Sequence, residues 1–214
     1  RQLLRMATLA KGFAPTPIRR MNRFQYSNAV QDLFELKVLV FPLPERMMRD
    51  RSKYFQKALN AADSKMPESI TVSSRMLGKS ALIEPRLAGV GPFPQDLRAE
   101  NGFDNRGDHL SLSPILMEAF FQLSRRIVQS PNFDGRTVGI WKTFFAQPPA
   151  NVDLTKEVRN RLRKFLTRAF RKPLKDDLLE RYVGYVTSRI ESGMPFTEAM
   201  KEVASATLAS PRFL

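Results

Sequence analysis

The chain has 214 residues, 43% hydrophobic and 26% charged, enough for one large domain or two small ones with their own cores, and too apolar for global disorder. It has no cysteine, which excludes disulfides, a thiol nucleophile, Cys-ligated metal and covalent c-type haem attachment within it. Lys and Arg number 35 against 21 Asp and Glu, a net charge of +14 that gives a salt-dependent attraction to acidic partners.

Arg1 to Lys11 read as basic and weakly helical, and FAPTP (Phe13 to Pro17) breaks any helix. The next stretch predicts a helix from Arg23 to Leu36 with Asn22 as N-cap. Tyr26, Val30, Leu33 and Phe34 then share one face. FPLP (Phe41 to Pro44) follows, and a second candidate helix bears Tyr54, Phe55 and Leu59. Glycines and prolines punctuate the chain up to Asn101, and SITVSSRML has some strand character. A connection this long and irregular usually carries function or wraps a neighbour.

Ser113 and Pro114 fit the N-cap and first position of a helix running to Gln129, with Leu116, Phe120, Leu123 and Ile127 as its apolar stripe. SPNFDGRT reads as a turn, VGIWKTFF as a short helix or extended segment, and AQPPANVD as an internal boundary. Asp153 or Thr155 can cap a helix to Phe170 that buries Val158, Leu162, Phe165, Leu166 and Ala169. Leu178, Tyr182, Val186 and Ile190 mark the next helix, with Gly193 at its C′ position. Thr197 is the expected cap of the last, whose inner residues include Met200, Val203, Ala204 and Leu208. The expected fold is mainly α: an N-terminal helical unit with a long irregular segment over residues 1–150, and a C-terminal three-helix bundle over 151–214.

No apolar run approaches the roughly 20 residues of a membrane span. The chain opens on Arg1 with no apolar leader after it and closes on SATLASPRFL, so it reads as a processed product or a piece of a longer polypeptide.

Asp104, Asn105, Gly107, Asp108 and His109 form a polar loop ahead of the Ser113 helix. Counted as a calcium loop from Asp104, the third position is Arg106 and the twelfth Ile115, and neither can ligate the ion. His109 is the only histidine, and no nucleophile-elbow pattern surrounds it. The loop is therefore read as structural, its Asp and Asn bonding the backbone. Phosphate-cradling glycine motifs are absent. No catalytic or metal-ligating set is assigned. Arg19, Arg20 and Arg23 sit at a helix start, where the dipole disfavours cations. Pairing with Asp104 and Asp108 would satisfy them.

Lys156, Arg159, Arg161, Arg163, Lys164, Arg168, Arg171 and Lys172 crowd one helix and its end. Of these, Arg159, Arg163, Lys164, Arg168, Arg171 and Lys172 form a candidate docking face for an acidic partner. Nucleic acid is disfavoured, because no aromatics are interleaved on that face.

RRMNRFQYSNAVQDLF (Arg19 to Phe34), GFDNRGDHLSLSPILMEAF (Gly102 to Phe120), RKFLTRAFRKPLKDDLLERY (Arg163 to Tyr182) and the closing SPRFL resemble, in this order, large planctomycete-type exported proteins. Those are built from serial domains of unknown function, and many carry a c-type cytochrome domain. Gln25 stands where that family often has Glu, and Ser27 where it often has Asn; residues 45–95 are longer than in many members, and the Cys-x-x-Cys-His haem motif is missing. The resemblance implies an exported chain, periplasmic or in the cell envelope, with any haem c elsewhere in a parent protein. The expected function is a non-catalytic structural or interaction module whose partners are other domains of the same polypeptide or an acidic protein. One alternative is part of a redox or polymer-processing envelope enzyme with its site near Asp104 to His109. The other is a basic surface for an acidic partner or nucleic acid.

Overall fold

The computed structural model describes residues 20–42, 85–94, 110 and 112–214. The candidate elements before residue 20, the Tyr54 helix and SITVSSRML lie outside the described residues. Among the described residues the protein is helical, with no strand and only two isolated bridges, Leu36 with Val138 and Leu39 with Arg86.

Helix α1 spans Arg23–Phe34. The Asn22 side chain accepts from the Gln25 amide at 2.9 Å, and Gln25 Oε1 accepts from the Asn22 amide at 3.1 Å. This reciprocal capping box works as well with Gln as with Glu, so the departure at Gln25 leaves the helix start intact. Tyr26, Val30, Leu33 and Phe34 are all buried, as their spacing predicts. The helix stops at Phe34, two residues before the expected Leu36. Glu35 adopts a left-handed conformation, with φ 53°, and Leu36 turns away to pair with Val138.

Helix α2 spans Pro114–Val128, with Ser113 Oγ accepting from the Leu116 amide at 3.2 Å and Pro114 in the first turn. Phe120, Leu123 and Ile127 are buried. The following turn stitches residues 86–88 to the helix end: Ser130 Oγ donates to the Ala88 carbonyl, and Asn132 bonds both the Arg86 carbonyl and the Ala88 amide. In the same turn Asp134 accepts from the Arg136 guanidinium and amide, which holds its carboxyl below the usual carboxylate range. VGIWKTFF resolves as a short π-helix, Trp141–Phe145, closed by the Ala146 amide donating to the Trp141 carbonyl at 2.9 Å.

Helices α3 (Leu154–Phe170), α4 (Asp176–Glu191) and α5 (Phe196–Leu208) pack as the expected bundle. Asp153 caps α3 through the Lys156 amide at 3.0 Å. In α4 the fully buried edge is Leu179, Val183 and Val186, while Leu178, Tyr182 and Ile190 are half-buried beside it. Gly193, at φ 92°, closes α4 in a Schellman turn: its amide donates to the Ile190 carbonyl and the Met194 amide to that of Arg189. Thr197 is not the cap of α5. The helix starts two residues earlier than that cap would give, at Phe196 with Pro195 in the cap position, and the Thr197 hydroxyl donates across to the Phe145 carbonyl at 2.8 Å.

One apolar cluster runs through the described residues, from Tyr26 through Phe120 and Leu162 to Leu208. Helix α2 lies along α5, where the Ser124 and Ser205 hydroxyls share a buried hydrogen bond of 3.1 Å. Burying one large apolar side chain stabilises by about 1.5–3 kcal/mol, so this shared core binds α2 firmly to the bundle. None of the described helices is long and apolar enough to cross a membrane.

Candidate docking face

The charged side chains of α3 divide by what they touch. Arg161 is the most enclosed, its side chain 10% exposed. It pairs with Glu157 at 2.7 Å, donates to the carbonyls of Phe144 and Ala146, and lies over the Phe196 ring. It therefore fastens the π-helix and the Ala146 loop to the bundle, a role its place in a basic run does not announce.

Four residues of the sequence-predicted face also have partners within the fold. Arg159 pairs with Glu180 at 2.6 Å and Arg163 with Asp176 at 2.8 Å, both across to α4. The hydrogen bond that Glu180 accepts from Arg159 holds the guanidinium even more firmly protonated. Arg168 crosses to the end of α1, where it meets Glu35 at 2.9 Å and the Asp32 carbonyl. Arg171 stacks over Phe213 and donates to its carbonyl. Lys164 and Lys172 are exposed and, among the described residues, form no ion pair.

Two clefts flank Arg168. One, about 560 Å³, lies between α1 and the end of α3 and is lined by Arg20, Arg168, Arg171 and Asp32 among others. The other, about 760 Å³, lies between the π-helix and α3; Lys142, Arg163 and Lys164 line it, with Phe144 and Phe165 beneath. Lys142 was not part of the expected face. It lies in a separate five-residue element, which spacing along α3 cannot bring to mind.

Asp104, Asn105, Gly107, Asp108, His109 and Arg19 lie outside the described residues. Arg20 and Arg23 are described. Arg20 is 5% exposed, its guanidinium 5.7 Å from the Phe93 ring centre, and its amide donates to the Leu110 carbonyl. Arg23 Nε donates to the Phe93 carbonyl at 2.6 Å. No group of three or more metal-ligating side chains gathers among the described residues.

Two segments match known families. Residues 82–130 match PSD3, described as a protein of unknown function (DUF1587), and residues 157–214 match PSD5, described as a protein of unknown function (DUF1595). The planctomycete-type resemblance is thus supported at the level of two such domains, and neither description names an activity. No curated protein and no solved structure matches the chain.

Proposed function

We propose that this chain is a structural docking module of a larger exported polypeptide, presenting the basic side of α3 to an acidic domain or partner protein. The observation that carries this reading is the joining of the two matched segments: α2, in the first, lies along α5, in the second, within one core. The outer side of α3, where Arg163, Lys164 and Arg168 are exposed, is the surface we read as facing that neighbour. Covalent haem attachment needs cysteine, and the chain has none, so any haem c of the parent belongs to another domain.

The test is zero-length carbodiimide cross-linking of the polypeptide as isolated from its native source, with peptide mapping beyond residues 1 and 214 and an absorption spectrum of the same sample. The expected products join lysines on or beside α3 to carboxylates of another domain or protein. Cross-links confined to this chain's own carboxylates would overturn the docking role.

A further inference from the structure

We infer that the cleft between the π-helix and α3 is the recognition pocket of this docking face, and that it takes an acidic peptide segment carrying apolar residues. This deepens the docking reading and rests on it. The cleft's own carboxylates are already matched: Glu35 by Arg168 at 2.9 Å and Glu157 by Arg161 at 2.7 Å. Arg163 is shared with Asp176, an exposed pair of the kind worth only about 0–1 kcal/mol and readily exchanged. Lys142 and Lys164 remain as uncompensated cations on opposite walls, both exposed. Asn160, one turn before Lys164, adds an exposed amide.

Half-buried Ile140 adds an apolar contact to the cleft, backed by Phe144 and Phe165, which stack at 4.2 Å between ring centres and are only 3% and 5% exposed. Cations beside an apolar contact suit a chain that alternates carboxylates with apolar side chains. A continuous polyphosphate track fits less well. Arg159 and Arg168, which would extend it along α3, are engaged by Glu180 and by Glu35 with the Asp32 carbonyl.

The experiment uses the full chain and a fluorescein-labelled peptide of alternating Glu and Leu, with a Gln-Leu peptide and oligothymidylate as comparisons. Anisotropy is read at low and high salt, on either side of the roughly 0.1 M at which the screening length is about 10 Å. The Glu-Leu peptide should bind at low salt and protect Lys142 and Lys164, which line the cleft and are exposed, from acetylation read by mass spectrometry. Lys142→Gln with Lys164→Gln should weaken binding about tenfold or more, as loss of close charge pairs does. Lys156→Gln with Lys172→Gln, the same charge change outside the cleft, should weaken it less than about threefold.

Equal weakening by the two double variants would overturn the pocket and leave the docking face standing. So would binding by the unmodified chain that leaves Lys142 and Lys164 as open to acetylation as before, a readout that needs no variant to fold. Absence of any binding to the acidic peptide would overturn both the pocket and the docking reading. Tighter, equally Lys142-dependent binding of oligothymidylate would replace the peptide with nucleic acid.

Discussion

Arg168 of α3 holds Glu35, the C-cap residue of α1, with its Nη1 2.9 Å from Glu35 Oε1 while its Nη2 donates to the Asp32 carbonyl. One guanidinium thus satisfies a last-turn carbonyl of α1 and neutralises the residue after it. Glu35 is left-handed, a conformation that is unfavourable for any residue with a Cβ. Opposite it the chain has Gly139, whose amide donates to the Glu35 carbonyl at 3.1 Å.

That opposition predicts a steric requirement at Gly139. A Cβ there would lie 2.7 Å from Glu35 Cβ and 3.0 Å from the Glu35 carbonyl oxygen. Gly139→Ala should therefore destabilise by about 1–3 kcal/mol, the usual cost of overpacking. Glu35→Gly should stay near neutral, since relief of the left-handed residue offsets loss of an exposed pair. The double variant should cost less than the sum, because the Cβ-to-Cβ contact is gone. Urea denaturation of the four proteins measures the cycle, and strict additivity would show that this contact is not the cause.

Arg161 predicts a larger loss than its exposed neighbours on α3. Arg161→Met keeps the aliphatic length but leaves Glu157 and the carbonyls of Phe144 and Ala146 without their donor. Hydrogen bonds to charged groups contribute about 1.5–3 kcal/mol, and a loss of that size is expected. Arg161→Lys should restore only part of it, since an ammonium cannot reproduce the planar fork. Full recovery of the denaturation midpoint with lysine would show that charge alone is what Arg161 supplies.

Tyr26 predicts the opposite sign. Its ring packs among Phe93, Phe120 and Phe213, with centroids 5.8, 5.4 and 5.8 Å away. Among the described residues its buried hydroxyl has no hydrogen-bond partner, and burial pushes the phenol well above its ordinary pKa. An unsatisfied buried polar group costs about 1–3 kcal/mol, so Tyr26→Phe should raise stability by about 1 kcal/mol or more. A lower melting temperature for the phenylalanine variant would mean that the hydroxyl has a role the aromatic packing does not explain.

These contacts also show where the sequence could be read and where it could not. The starts of α1, α2 and α3 are written locally, in Asn22, Ser113-Pro114 and Asp153, because a cap bonds amides two or three residues away. The buried faces of α1, α2 and α3 follow from spacing for the same reason. The end of α1 is set by Gly139 and Val138, about a hundred residues distant, and no local signal marks it. Thr197 looks like a cap because its type suits one, yet its hydroxyl is drawn to the Phe145 carbonyl across the bundle. The basic run on α3 was visible as charge. Its division into fastening arginines and unpaired lysines depends on carboxylates contributed by α4 and by the end of α1. Lys142 was missed because its cleft exists only once the π-helix is docked.

The buried Arg20 carries the last prediction. Arg20 is 5% exposed as a residue, its Nη1 donates to the Met21 carbonyl at 3.2 Å and its guanidinium lies over the Phe93 ring, and a cation buried this far gains from every further acceptor or counter-charge it meets. Its amide already meets the Leu110 carbonyl, which places Arg20 beside the residue that follows the Asp104-to-His109 stretch in the chain. We propose that Asp104 or Asp108 supplies the counter-charge, as the sequence arrangement suggests for Arg19, Arg20 and Arg23 together. Removing one partner of a buried pair costs about 3–5 kcal/mol, whereas an exposed pair is worth about 0–1. Asp104→Ala and Asp108→Ala should therefore differ, with the true partner's loss lowering the melting temperature steeply. Arg20→Met should lower it too, and combining it with the critical Asp variant should cost much less than the two single losses added. Melting temperatures unchanged in both Asp variants would exclude this pairing and assign the loop's carboxylates to solvent or to another partner.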